Sequence, residues 1–306
     1  MTTDTGRAGG GDCVRFEELR TLAHRAVDAG RLEEAEDYIE QALVWAREHG
    51  TQQQVDHALC NRAALAIQLG RGDGELAVLR EILMRSADPG TSRLAAYHLS
   101  LHYEVAKNFK KSLFYARIAR DRASILGVPE WLASSHNQLG NALLGESLIP
   151  EASREYEQAL ALMPAEKSVI RALVLNNLGY CRVLQRQFEE GYTLLYEALS
   201  DLRRFRAVRY QVLPHLDLCF AHLETGRYRL ASRQGSLALR LAEETGQVDS
   251  IKNALYLLGE AANLSSDTET AREHFTRLHR DFFPEQTYLP GFLLAVDVRK
   301  LVNLHA

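Results

Sequence analysis

His98 and His102 stand four residues apart, a spacing that puts two imidazoles on one face of a helix as a pair of metal ligands would need. Glu104 is near in sequence but points elsewhere on a helix, and no cysteine or third histidine stands at ligand spacing. The pattern therefore predicts no metal site, and the two histidines read as packing or surface residues. Arg203, Arg204, Arg206 and Arg209 form a basic run around Phe205. Such a run could contact phosphates or an acidic partner. It also marks a helix C-terminus, where positive charge offsets the macrodipole. Cys13, Cys60, Cys181 and Cys219 are far apart and form no Cys-x-x-Cys pair, so they read as reduced thiols. Gly70, Gly72 and Gly74 lack both the preceding strand and the lysine of a phosphate loop. Arg71-Gly72-Asp73 spells an adhesion tripeptide but reads as part of a loosened turn. There is no Gly-x-Ser-x-Gly elbow, no His-Glu-x-x-His and no dinucleotide fingerprint. The chain is expected to be non-catalytic and to need no cofactor.

The bulk numbers agree with a binding protein. Of 306 residues, 46% are hydrophobic and 25% charged, which is ordinary for a soluble globular chain. The 36 basic and 40 acidic residues leave a net charge of −4, which argues against a dedicated nucleic-acid or membrane-surface binder. No apolar stretch approaches the ~18 residues of a membrane span. Met1 to Asp12 is small and polar, unlike a secretory signal. Residues 1–13 are expected to be a disordered leader, and the protein cytoplasmic. Arginine far outnumbers lysine, which reads as the bias of a GC-rich bacterial genome.

The elements that must position any site are helices. Apolar residues recur with a period near 3.6 almost from end to end. Short breaks such as Gly70-Arg71, Lys107-Asn108, Gly145-Glu146, Arg186-Gln187 and Gly226-Arg227 split helix pairs, and Asp88-Pro89-Gly90, Gly127-Val128-Pro129 and Met163-Pro164 end them. Ser266 and Glu269 have capping-box spacing. Aligned on these breaks, one column reads Ala23, Ala63, Ser100, Gly140, Gly179, Cys219, Gly259, in steps of 40, 37, 40, 39, 40 and 40. Twelve residues on, a second column reads Ala35, Glu75, Ser112, Ala152, Gly191, Ala231, Ala271. Two antiparallel helices need small residues where their backbones approach, and each pair leaves an apolar face for the next to cover. The expected fold is all-α: seven helix pairs stacked as a solenoid, near 14–50, 51–89, 90–128, 129–165, 166–206, 207–246 and 247–283. The second pair departs from the pattern, with Arg62 and Glu75 where Leu and Ala are expected. Residues 284–306, with Pro290 and then Phe292, Leu293, Leu294, Val296, Val298, Leu301 and Leu304, are expected to form one helix capping the last pair. A homodimer could also pair through that helix.

These columns resemble the tetratricopeptide repeat, most closely at Asn137-Gln138-Leu139-Gly140-Asn141 with Ala152, Tyr156, Ala159 and Pro164, and at Asn176-Asn177-Leu178-Gly179-Tyr180 with Ala198. The resemblance covers about Val14 to Phe283. The 40-residue period resembles the long repeats of spindle-orientation scaffolds, kinesin light chains, Rap-type bacterial peptide-receptor regulators and large bacterial transcription activators. It implies a right-handed superhelical solenoid whose first helices line a concave groove. By column, that groove would carry Arg20, Cys60, Tyr97, Asn137, Asn176, Leu216 and Tyr256, and, four residues on, His24, Ala64, Leu101, Asn141, Tyr180, Phe220 and Glu260. Asn137, Asn141 and Asn176 would hold a peptide backbone, because an amide both donates and accepts. Tyr97, Tyr180, Phe220 and Tyr256 would supply apolar anchors. The alternative for Asn137 and Asn176 is that they only bridge neighbouring helices. The family's two-lysine carboxylate clamp is missing. The expected function is a scaffold or adaptor binding a peptide or helix of a partner protein. The alternative is a sensor that binds a small peptide or metabolite and controls a transcription factor, and a minor alternative is an enzyme whose site is assembled across repeats.

Overall fold

The computed structural model describes residues 10–28 and 31–305, and of residues 10–13 and 28 the backbone alone. Most of the expected leader, residues 1–9, lies outside the described residues, and helix begins at Gly10. The chain divides into two compact units, Met1–Ala142 and Leu143–Ala306. No strand occurs among the described residues.

The first unit is built from α1 (Gly10–Asp28), α2 (Leu32–His49), α3 (Gln52–Gln68), α4 (Leu76–Arg85), α5 (Pro89–Val105), α6 (Phe109–Leu126) and α7 (Pro129–Gly145), whose last turn falls in the second. The second continues with α8 (Ile149–Leu162), α9 (Val169–Leu184), α10 (Phe188–Arg204), α11 (Val212–Glu224), α12 (Tyr228–Glu244), α13 (Val248–Leu264), α14 (Thr268–Phe282) and α15 (Leu289–Ala295). From α1 to α6 and from α8 to α15 consecutive helices pack on one another, and first helices also touch the next first helix: α3 on α5, and α9 on α11 on α13.

The helix ends have local causes. Thr51 and Gln54 form a full capping box at α3. Asp88, Asn108 and Ser168 accept the N3 amide at α5, α6 and α9. Capping at α14 is a correction: Asp267, not Ser266, accepts from Thr270 N–H at 3.2 Å. Ser266 instead takes a left-handed turn position at φ 66°. Its side chain is therefore one residue too early to cap. In the second pair, Arg62 Nη2 donates to Glu75 Oε2 at 3.0 Å, so the two departures from the pattern neutralise each other. A 3-10 turn over Gly72–Glu75 leaves α4 only 10 residues long.

The small columns are where paired helices meet. Ser100 and Ser112 lie opposite each other, fully buried, with their hydroxyls 3.1 Å apart. A Cβ on Gly179 would come within 2.9 Å of Leu195, and one on Gly259 within 2.3 Å of Phe275.

The C-terminal segment departs from expectation. Only Leu289–Ala295 is helical, and Val296 turns extended at φ −126°, ψ 122°. Asp297 Oδ1 accepts from Arg299 N–H at 3.0 Å, a side-chain turn that competes with helix. A single 3-10 turn follows over Arg299–Leu301, and Val302 is extended again. The predicted helix over 284–306 is thus cut short, because side chains of the second unit take up the peptide groups that a helix would have used.

A Gly259→Ala substitution is expected to destabilise the fold by about 1–3 kcal/mol, since Phe275 has packed neighbours and must move. Gly291→Ala in α15, where an added methyl meets nothing within 4 Å, serves as the control and is expected to be neutral or mildly stabilising. Thermal melts of the two variants check this.

Candidate functional site

The extended segment after α15 lies on the first helices of the second unit. Asn303 Nδ2 donates to the Leu144 carbonyl at 2.8 Å. The Leu304 N–H donates to the Tyr180 hydroxyl at 3.0 Å, and the Leu304 carbonyl accepts from Asn253 Nδ2 at 3.1 Å. Leu304 itself is buried. The His305 ring stacks on Tyr180, with centroids 4.2 Å apart and planes 7° from parallel. Its Nε2 lies 3.0 and 3.1 Å from the two oxygens of Asp217. Asp217 is fully buried and also accepts from Asn176 Nδ2 at 3.0 Å. Phe220 is tilted against Tyr180 at 6.2 Å. The face therefore reads a main chain with Tyr180 and Asn253, and a ring with Tyr180 and Asp217.

Nearer to α15, the segment covers a second group of residues. Glu260 on α13 is 2% exposed, and its Oε1 has no hydrogen-bond partner. Tyr256, one turn earlier, is buried with its hydroxyl likewise unpartnered. Burial, and after it the nearby Asp297, raises the Glu260 carboxyl to about 7 against the opposing pull of Arg299. Arg299 bonds Asp297 at 2.7 Å and Glu224 at 3.2 Å, which ties the segment to the end of α11.

The predicted groove residues separate into groups. Tyr180, Phe220, Asn176 and Tyr256 stand together under the docked segment. Of these, only Tyr180 touches its main chain, and Asn176 is linked only to the His305 ring, through Asp217. In the first unit, Gln138 donates to Ser100 at 3.1 Å and to Glu104 at 2.6 Å, and Asn141 lies 3.4 Å from Glu104. Asn141 thus bridges α7 to α5. Asn137 is half-buried on α7, and Tyr97 is half-buried on α5 with its ring edge-on to His98. Sequence reasoning missed Asp217, Asn253 and the segment residues Asn303 to His305. A signal existed for Asp217. The column two residues before the small one reads Asn61, His98, Gln138, Asn177, Asp217, polar in five successive repeats. Three of these five are buried.

Arg203 and Arg204 occupy the last turn of α10, while Arg206 sits at the left-handed turn after it at φ 54°. These three and Arg209 are exposed, beside Phe205 and Tyr210, which are also exposed. His98 and His102 do not converge, since His102 lies 3.3 Å from Asp73. No group of three His, Cys, Asp or Glu that could hold a metal occurs among the described residues. Cys60, Cys181 and Cys219 are free and buried, and burial pushes each thiol up to about 12, so none is a nucleophile at neutral pH.

No family model matches the sequence, and no curated protein matches it. Solved structures do match. A Rap protein in complex with Competence and Sporulation Factor aligns at TM-score 0.74 and 13% identity, over 92% of this chain and 79% of that one. The apo form of the quorum sensor NprR from B. thuringiensis aligns at TM-score 0.68 and 14% identity, over 94% and 82%. A tetratricopeptide repeat protein from Parabacteroides merdae aligns at 0.55 and 16%, over 92% and 97%. At these identities the likeness is one of fold.

Glu260 gives the site a pH signature. Its carboxyl holds a proton more tightly in the fold, at about 7, than in the unfolded chain, near 4.5. Stability from this group is thus highest at low pH, falls as pH rises from about 4.5 to about 7, and is level above. The charged groups that act on it are Asp297 and Arg299 on the segment, Arg299 being paired in turn with Glu224 on α11, and the neutral Tyr256 stands beside it on its own helix. Glu260→Gln should remove the slope. The melting-temperature advantage of the variant over the parent is expected to grow between pH 5 and pH 8, and a constant gap would show that Glu260 does not titrate there.

Proposed function

We propose that this chain, which has the all-α tetratricopeptide-repeat fold, is a non-catalytic binding module. It holds an extended peptide segment of a protein partner on the first-helix face of its second unit. One observation carries the reading: the Leu304 peptide group is held from both sides, its N–H by Tyr180 and its carbonyl by Asn253. Those contacts read backbone and are indifferent to side-chain identity, which is what a peptide receptor needs. The adjacent Tyr180 face and the Asp217 carboxylate add selectivity for an aromatic or imidazole ring one residue on. The chain's own segment is the resident occupant, so a partner would bind by displacing it.

The scaffold and the ligand-responsive regulator differ in what displacement does, and the docked segment favours the regulator. Arg299 and His305 connect the segment to α11 through Glu224 and Asp217. Its release would leave two carboxylates of one helix without those partners. A bound peptide could thereby alter the hold of the module on a second protein, such as a transcription factor. The exposed Arg203, Arg204, Arg206 and Arg209 offer an acidic partner a place on another face. Three buried, unpaired thiols suit a reducing compartment, and we place the protein in the cytoplasm. No described helix is long and apolar enough to cross a membrane.

A labelled peptide copying residues 297–305 tests this by fluorescence anisotropy. Against the parent it should bind poorly. Against a chain carrying Leu304→Asp and His305→Ala, which frees the face, it should bind saturably. Adding Tyr180→Phe and Asn253→Ala to the freed chain removes two hydrogen bonds, each contributing about 0.5–1.5 kcal/mol, so affinity should fall roughly 5- to 150-fold. A freed chain that ignores the peptide would sink the proposal.

A further inference from the structure

The first unit holds a cavity of about 340 Å³, lined by α1, α3 and α5 together with Ile39 of α2 and Trp131 of α7. That volume is at the small end of the range for organic ligands. Val27, Ile39, Leu65 and Leu94 make part of the lining apolar. Arg20, His57, Arg93 and His98 also line it. Each of these four carries a buried nitrogen without a hydrogen-bond partner: Nε of Arg20, Nε2 of His57, Nε of Arg93 and Nδ1 of His98. Buried polar atoms are nearly always satisfied, and four orphans around one cavity mark a place where a partner belongs.

Arg93 fixes the sign of that partner. It is 9% exposed, and its guanidinium lies 5.1 Å from the Trp131 ring centroid. Among the described residues no carboxylate pairs with it, although a guanidinium stays charged at any working pH. A buried, unpaired cation is among the costliest features a fold can keep, and such charges persist where a counterion binds. The nearby carboxylates are engaged: Glu17 bonds Arg20 at 2.8 Å, and Asp88 caps α5 by accepting from Thr91 N–H at 2.6 Å. His98, 8% exposed, is pushed down to about 4 by burial and then by Arg93 and His24, so it is neutral at pH 7. With Arg20 matched by Glu17 and the Asp88 carboxylate turned onto the α5 amides, the cavity keeps one lining cation, Arg93, that has no ion-pair partner among the described residues. It therefore suits a monoanion better than a phosphate dianion.

We infer that this cavity binds a small monocarboxylate with an apolar body, the carboxylate meeting Arg93, His57 and His98 and the body lying along Val27, Ile39, Leu65 and Leu94. The site is separate from the peptide-binding face of the second unit and does not depend on it.

The test uses the whole chain with octanoate, 4-phenylbutyrate and indole-3-butyrate, each against its primary amide, and with inorganic phosphate. Thermal shift and calorimetry are the readouts. At least one acid should bind with one-to-one stoichiometry and at least tenfold more tightly than its amide. Arg93→Met should abolish that preference while melting, without ligand, no lower than the parent, because an unpaired charge has been removed. His98→Leu should weaken the acid severalfold, and His98→Gln, which keeps a donor, should largely restore it. Three results would each overturn the inference: no acid outbinding its amide, phosphate binding more tightly than all three acids, or both Arg93→Met and His98→Leu leaving acid binding intact.

Discussion

A helix pair can stack on the next only if its two members approach closely enough to present one continuous face, and the approach is limited by what stands at the contact. In this chain the contact is made by residues with almost no side chain. Gly259 meets the Phe275 ring and Gly179 meets Leu195, while Ser100 meets Ser112 through a shared hydrogen bond. Everything else follows from that closeness. The large apolar residues beside the small column, such as Leu99, Leu218 and Leu258, are free to fill the space between pairs and are all buried. The first helices of successive pairs then come into contact, and their remaining faces become shared surfaces.

Polar residues on those shared surfaces have two roles. Some tie one helix to its neighbour, as Gln138 does between α7 and α5. Others are left with capacity to bind. Asp217 accepts from Asn176 and still has room for His305, and Tyr180 is fixed by burial with its hydroxyl available to a main-chain N–H. Rigid helices hold these groups in place before anything docks, so little ordering is lost on the side of the helices when the chain's own extended segment docks. The same logic operates in the first unit, where Arg93, His57 and His98 are held around a cavity, each with one buried nitrogen that has no hydrogen-bond partner.

Much of this was legible in the sequence because it depends on period. The spacing of Ala63, Ser100, Gly179, Cys219 and Gly259 identified the close contacts, and Tyr180, Phe220, Asn176 and Tyr256 were placed on the face that the segment occupies. What period could not show is contact between residues far apart in the chain. Nothing local marks His305 as the partner of Asp217, or Asn253 as the partner of Leu304. The apolar residues from Phe292 to Leu304 read as a helix because their spacing allows one. The extended form is selected only by the groups waiting on α9, α11 and α13. Arg62 and Glu75 looked like irregularities until the fold brought them together.

The claim on which the functional account rests is that the second unit holds a main chain through Tyr180. Amide hydrogen exchange at Leu304, followed by nuclear magnetic resonance in the whole chain, measures it directly. The account predicts that this N–H is protected in the parent and exchanges markedly faster once Tyr180→Phe removes its acceptor, with the amides of α9 unchanged. Exchange at Leu304 as fast as in an unstructured peptide, in the parent itself, would contradict it.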